Sequence, residues 1–316
     1  MPKPRLLLKR GEKVPEWSLS AKELERIRPK PEELRKFRRT LKLRPLPVPK
    51  RQVLLYPELI RPAYLLRPYP FLCRIFCPPR LRVRKNQKNL TPLEWARFIG
   101  AIEALAEPGI PSPTYAEFVN VHDLSMSTHA GHAWGAHTMG GHDGRNFFTW
   151  HREYLAKLEA RLTTINPLVT IPYWDWVNDR AIPPELSDPA DLAAWGITRG
   201  ASFNGAALPS AAWINSVMAT GVSPPDFTAF SSALESPHNT VHVLVGGTMQ
   251  TSTSPADPLF WLHHAFIDKL WADWQIANTG AAFHPPNTAE TLQPPPILTR
   301  TVNQVVRTQA LGYVYA

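Results

Sequence analysis

Cysteine is nearly missing from this sequence. Cys73 and Cys77 are the two in 316 residues, too few for a disulfide scaffold, so stability must come from packing and any bound metal. Long apolar runs are missing as well. Those near the start, LLL, VLLY and YLL, are short and broken by Arg and Pro, so neither a signal-type apolar core nor a membrane span is expected, and Arg38-Arg39 lacks the apolar stretch that a twin-arginine signal needs. The expectation is a soluble chain, placed in the cytoplasm. Acidic residues are scarce at one end: residues 1–90 hold 25 of the 35 Lys and Arg but 7 of the 26 Asp and Glu, leaving 10 basic against 19 acidic residues beyond. The formal net charge of +9 therefore describes neither part. A basic arm can tether nucleic acid or a membrane, but the Gly and aromatic spacing of RNA-binding tails is absent and the acidic remainder offers it a surface. Docking within the chain is expected, with no nucleic-acid or membrane partner.

What is there divides the chain. Residues 1–81 form a Pro-, Arg- and Leu-rich extension in which repeated Pro removes backbone donors and blocks long helices; one interrupted helix is expected between residues 20 and 40. Residues 82–316 read as a catalytic domain. Thr91-Pro92-Leu93-Glu94 supplies an N-cap, a Pro at the first helical position and a capping-box Glu, so a helix is expected to run until Pro108-Gly109. Thr114 with Glu117 opens a second helix carrying His122. After a Gly- and His-rich loop at 130–144, a third runs through FFTWHREYLAKLE to about Leu162. A polar, Pro-rich excursion follows to about residue 230. Ser236-Pro237 is expected to start a fourth helix, Asp257-Pro258 a fifth, and LGYVYA reads as a short strand. The fold expected is mainly α, with a four-helix-bundle core, long loops and few short strands.

The chemistry lies in histidine. His238 and His242 stand at i and i+4, on one helix face, where two imidazoles can address one metal ion; His264 on the next helix can supply a third. His122, His142 and His151 form a second candidate set. Three imidazoles leave a coordination position open, suit both oxidation states of copper, and stand in segments with few carboxylates. Two such sets argue for two coppers sharing one O2.

HDGRNFFTWHREYLAKLE and DPLFWLHHAFID resemble the two copper signatures of the tyrosinase, or polyphenol oxidase, family, whose members hold a type 3 dinuclear copper site. The resemblance extends over roughly residues 82–275, with PYWDW and PHNTVHVLVGG between, and Tyr313-Val-Tyr315 is similar to the tyrosine motif that closes the core in many members. It implies His142 and His151 as ligands of the first copper and His238, His242 and His264 as ligands of the second. FVNVHDL resembles the helix bearing the remaining ligand, which selects His122 over the loop residues His129, His132 and His137, read as solvent-facing or supporting. His263 points about 100° round the helix from His264 and is assigned core or hydrogen-bonding duty; His284 reads as surface.

The implied activity is oxidation of small phenols by O2: ortho-hydroxylation of monophenols and oxidation of o-diphenols to o-quinones. Rival readings are a catechol or o-aminophenol oxidase with little monophenolase activity, an oxygen carrier using the same histidines, and a basic scaffold protein. In relatives a Glu and an Asn placed like Glu235 and Asn239 hold a water that takes the phenol proton, which makes this pair the candidate catalytic residues. Arg152 and Asp268 can pair between helices. Thr251, Ser252 and Thr253 suggest an open pocket rim. The Cys-to-His crosslink of some members is ruled out, since no Cys lies near residues 122–151. Cys73-Arg-Ile-Phe-Cys77 resembles the CxxxC that hands over copper in some relatives, a candidate copper donor, while Tyr64, Leu65, Tyr69 and Phe71 of the extension are candidates to shield a pocket mouth. Oligomeric state has no signature in the sequence.

Overall fold

The computed structural model describes residues 81–138 and 143–316. The helix expected at 20–40, Cys73 and Cys77, the aromatic side chains at 64–71, the domain boundary at 81/82 and His142 all depend on residues outside that range. The order of elements is β1 (Arg82–Arg84), α1 (Pro92–Ala106), α2 (Tyr115–Ser127), α3 (His129–His132), α4 (Phe147–Ile165), α5 (Pro189–Trp195), α6 (Ala211–Ala219), α7 (Phe227–Val245), α8 (Leu259–Ala277), α9 (Val302–Val305) and β2 (Tyr313–Tyr315), joined by short 3-10 turns.

The capping signals act as expected. Thr91 and Glu94 form a complete capping box at α1, and Thr114 with Glu117 forms another at α2, satisfying amide donors that a helix start leaves unpaired. One boundary is corrected. The fourth helix does not begin at Ser236-Pro237 but at Phe227, where the Asp226 side chain accepts from the Ala229 amide at 3.0 Å, and Pro237 lies inside it. Proline costs a helix interior one amide donor, yet here burial of Phe230, Leu234, Pro237 and Val241 along one face holds the helix continuous. His238 and His242 therefore sit in its fourth and fifth turns rather than at a frayed start.

Helix α4 is the centre of the bundle, packed against α8, α1 and α7, which explains why it is buried on nearly every side, with its charged residues Arg152, Glu153 and Glu159 enclosed as well. Trp150, Trp174, Trp176, Trp261, Trp271 and Trp274 are fully buried. The stack of Phe148 on Phe230 at 5.5 Å, and of Phe230 on Trp274 at 4.1 Å, joins α4, α7 and α8. Such large rigid side chains fix helix spacing closely, as a site built from several helices requires.

The two strands pair in parallel, Arg82 opposite Tyr313 and Arg84 opposite Tyr315. Behind them lies a buried ionic network. Arg84 bonds Glu159 of α4 through Nε and Nη2 at 3.1 and 3.2 Å. Asp268 of α8 accepts from Arg152 Nε at 2.5 Å, Tyr313 Oη at 2.6 Å and Tyr315 Oη at 2.5 Å. Arg152 and Asp268 thus pair between helices as their positions suggested, and the tyrosine pair locks the chain's last strand onto both.

Candidate metal centre

Seven buried or nearly buried histidines gather where α2, α4, α7 and α8 meet. They fall into two groups, His238, His242, His263 and His264 in one and His122, His137 and His151 in the other, with the nearest ring nitrogens of each group within 4.8 Å of one another. Nε2 of His238 lies 3.1 Å from Nε2 of both His264 and His242, and the last two are 3.2 Å apart. Tetrahedral nitrogens on one metal ion, at bonds of about 2.0 Å, would stand about 3.3 Å apart. The triangle is close to that spacing.

Tautomers decide what the triangle means. His242 Nδ1 donates to the Met249 carbonyl at 2.6 Å and His238 Nδ1 to Asn239 Oδ1 at 3.1 Å; an oxygen without a proton can only accept, so the ring proton is on Nδ1 and Nε2 presents a lone pair. Lone pairs converging at 3.1 Å repel unless a cation lies among them. His263 is different. Its Nδ1 accepts from the Trp176 indole at 3.0 Å, which places its own proton on Nε2 and sets it apart from the three. It lies parallel to His238 at 5.1 Å.

In the other group His122 Nδ1 donates to the Ser252 carbonyl at 2.7 Å and His151 Nδ1 to the Phe147 carbonyl at 2.8 Å, so both again present Nε2. The Nε2 atoms of His151 and His137 are buried with no hydrogen-bond partner, which fits a donor set for a metal better than it fits a packed core. The groups face one another: His151 stacks on His264 at 4.3 Å with 15° between rings. Phe147 and Phe260 pack against members of both.

His137 is not solvent-facing. Read as solvent-facing or supporting, it is 7% exposed and completes the group of His122 and His151; His142, expected in that place, falls outside the described residues. The loop turns inward at Gly135, which has a φ of +65°, and the Asn146 amide donates back to the Gly135 carbonyl at 2.8 Å. Gly144, at φ +60°, sits so close that a Cβ there would lie 2.5 Å from Thr138 Oγ1. Thr138 is held by Glu235, whose oxygens accept from its amide at 3.0 Å and its hydroxyl at 2.6 Å. These are long-range ties with no local spacing to announce them.

Glu235 and Asn239 are neighbours on α7, and both line a cleft of about 610 Å³ with Thr138, Asp143, Ser236 and Val243. Glu235 is nearly buried while Asn239 is exposed. His284 is half-buried, away from both groups.

Burial dominates the titration of every clustered histidine. It lowers His122 to about 3, though the Ser252 carbonyl pulls the other way, and His242 to about 4 against the Met249 carbonyl; His137, His151, His238, His263 and His264 are likewise pushed well down. All therefore stay neutral and able to ligate in mild acid. The unfolded chain, with histidine near 6.5, takes up protons first, so stability is present above that value and is lost as pH falls below it. Metal-free protein is therefore expected to lose stability progressively as pH falls below about 6.5. Melting curves in chelator across that range test this; a flat melting temperature would contradict it.

The family model for the common central domain of tyrosinase matches residues 112–205 and 197–277. A tyrosinase of Streptomyces glaucescens is 35% identical over 249 residues, covering 65% of this chain and 86% of that protein. Grixazone synthase of Streptomyces griseus is 26% identical, covering 63% of this chain and 85% of the relative. A functional unit of octopus hemocyanin has the same fold, with a TM-score of 0.59 at 23% identity over 74% of this chain and 68% of that one.

Proposed function

Because the chain belongs to the tyrosinase family, whose members are phenol-oxidising oxidoreductases, we propose that it oxidises o-diphenols to o-quinones with O2 and also hydroxylates monophenols at the ortho position. The balance is two diphenols and one O2 to two quinones and two waters, or one monophenol and one O2 to one quinone and one water. The observation that carries the reading is the convergence of three Nε2 atoms, from His238, His242 and His264, opposite His122, His137 and His151. These six residues would hold two copper ions, with His142 a further candidate for the first. The catalytic unit is taken as residues 82–316, with residues 1–81 as an extension.

Bound copper would supply reversible one-electron chemistry and an affinity for O2. The chain's own residues do the rest. Carbonyls and Asn239 fix the rings so that Nε2 faces inward, and Phe147 and Phe260 keep the interior dry. A phenol with a pKa near 10 is a poor ligand at neutral pH, so hydroxylation needs a nearby proton acceptor. Glu235 stands about one turn before His238 on α7 and lines the cleft, and the two bonds from Thr138 leave it further acceptor capacity. Asn239 orients His238 from the same helix. This pair favours monophenolase activity over a plain catechol oxidase.

Oxygen uptake by copper-loaded protein on tyramine and on catechol tests the assignment. Turnover of both is expected. Catechol alone would mark a catechol or o-aminophenol oxidase, and neither, with reversible O2 binding, an oxygen carrier like the hemocyanins that share its fold.

A further inference from the structure

Two ring-orienting carbonyls come from one short stretch of chain. Met249 holds His242 and Ser252 holds His122, so the segment between α7 and α8 fixes one histidine from each group. Its ends are firmly anchored. Gly247 packs so tightly on Thr198 that a Cβ would meet its carbonyl oxygen at 2.3 Å. The Thr248 amide donates to the Thr198 carbonyl at 2.8 Å. Asp257 receives both Nε and Nη2 of Arg199 at 2.7 and 2.8 Å, and Tyr115 Oη donates to the Pro255 carbonyl at 2.7 Å.

The middle, where both carbonyls lie, is tethered otherwise. Thr251 Oγ1 bonds within the segment, to Thr248 and Thr253. The Ser252 hydroxyl donates outward, to Oδ1 of Asp123, the residue after His122 on α2. The result is a closed loop of contacts: the Asp123 carboxylate holds the Ser252 hydroxyl, and the Ser252 carbonyl holds the His122 ring.

We propose that Asp123 is a positioning residue, acting through Ser252 to hold His122, and through the same segment His242, in the tautomer and ring plane that bind metal. It touches neither metal nor substrate. Outer partners of ligating histidines typically govern metal affinity by about 10- to 100-fold, whereas a half-exposed hydrogen bond adds little to folding. The two roles therefore separate experimentally. The inference rests on the copper reading above.

The test is copper affinity of the full chain, by competition with a chromophoric chelator, alongside the melting temperature of metal-free protein. Asp123→Ala and Ser252→Ala are each expected to weaken copper binding by about 10- to 100-fold while the metal-free melting temperature moves little. Asp123→Asn keeps an oxygen that accepts from Ser252 and should restore affinity to within a few-fold of wild type. Wild-type affinity in both alanine variants, an Asn variant no better than Ala, or a drop in metal-free melting temperature that accounts for the whole effect would overturn the positioning role. Wild-type protein that binds no copper would instead strike the functional reading beneath it.

Discussion

Replacing His242 with alanine is expected to abolish oxygen uptake on catechol and tyramine and to reduce copper content to half or less. The reason is geometric. Nε2 of His242 stands 3.1 and 3.2 Å from those of His238 and His264, so its loss leaves two nitrogens on a site that needs three protein ligands to hold an ion with one position open. The change removes no core anchor: α7 still buries Phe230, Leu234 and Val241, and the variant should fold. Metal analysis and an oxygen electrode read both effects, and His284→Ala, away from the site, should leave both unchanged. Full activity in His242→Ala would refute the proposed centre.

Replacing Asp268 with alanine should have the largest effect on stability. That carboxylate receives Arg152, Tyr313 and Tyr315 and lies 3.6 Å from Arg84. Both arginines are fully buried. Arg84 keeps Glu159, but Arg152 retains only neutral acceptors, the backbone carbonyls of Val305, Val306 and residue 268 and the Gln275 amide, so its charge is left uncompensated. Breaking one side of a buried pair costs about 3–5 kcal/mol, and for a domain of this size each kcal/mol moves the melting temperature by roughly 2–4 °C. Thermal melts should thus show a fall of roughly 6–20 °C. A change under 2 °C would mean that the network adds little.

The parts of this architecture that the sequence announces are those written in local spacing. His238 and His242 share a face because four residues make about one turn, and the caps at Thr91 and Thr114 need only three residues to be recognised. The start of α7 was hidden because Ser236-Pro237 has the form of a helix beginning, and only burial of the helix face shows otherwise. His137 was hidden for a different reason. Its place depends on Gly135 and Gly144 turning the loop and on Glu235, 97 residues away, holding Thr138. The Met249 and Ser252 carbonyls were illegible altogether, since every residue carries a carbonyl and only the path of the chain selects these two. Local spacing thus points to candidate donors, while the contacts that aim them depend on the path of the chain.

The parallel pairing of Arg82–Arg84 with Tyr313–Tyr315 has a mechanical consequence. Tension applied between residue 81 and residue 316 would pull the two strands along their length in opposite senses. Their cross-strand bonds would then bear load together, in shear, rather than opening one after another like a zipper. Slippage would also drag Arg84 from Glu159 and both tyrosines from Asp268, so resistance to stretching is concentrated where the first and last described segments meet.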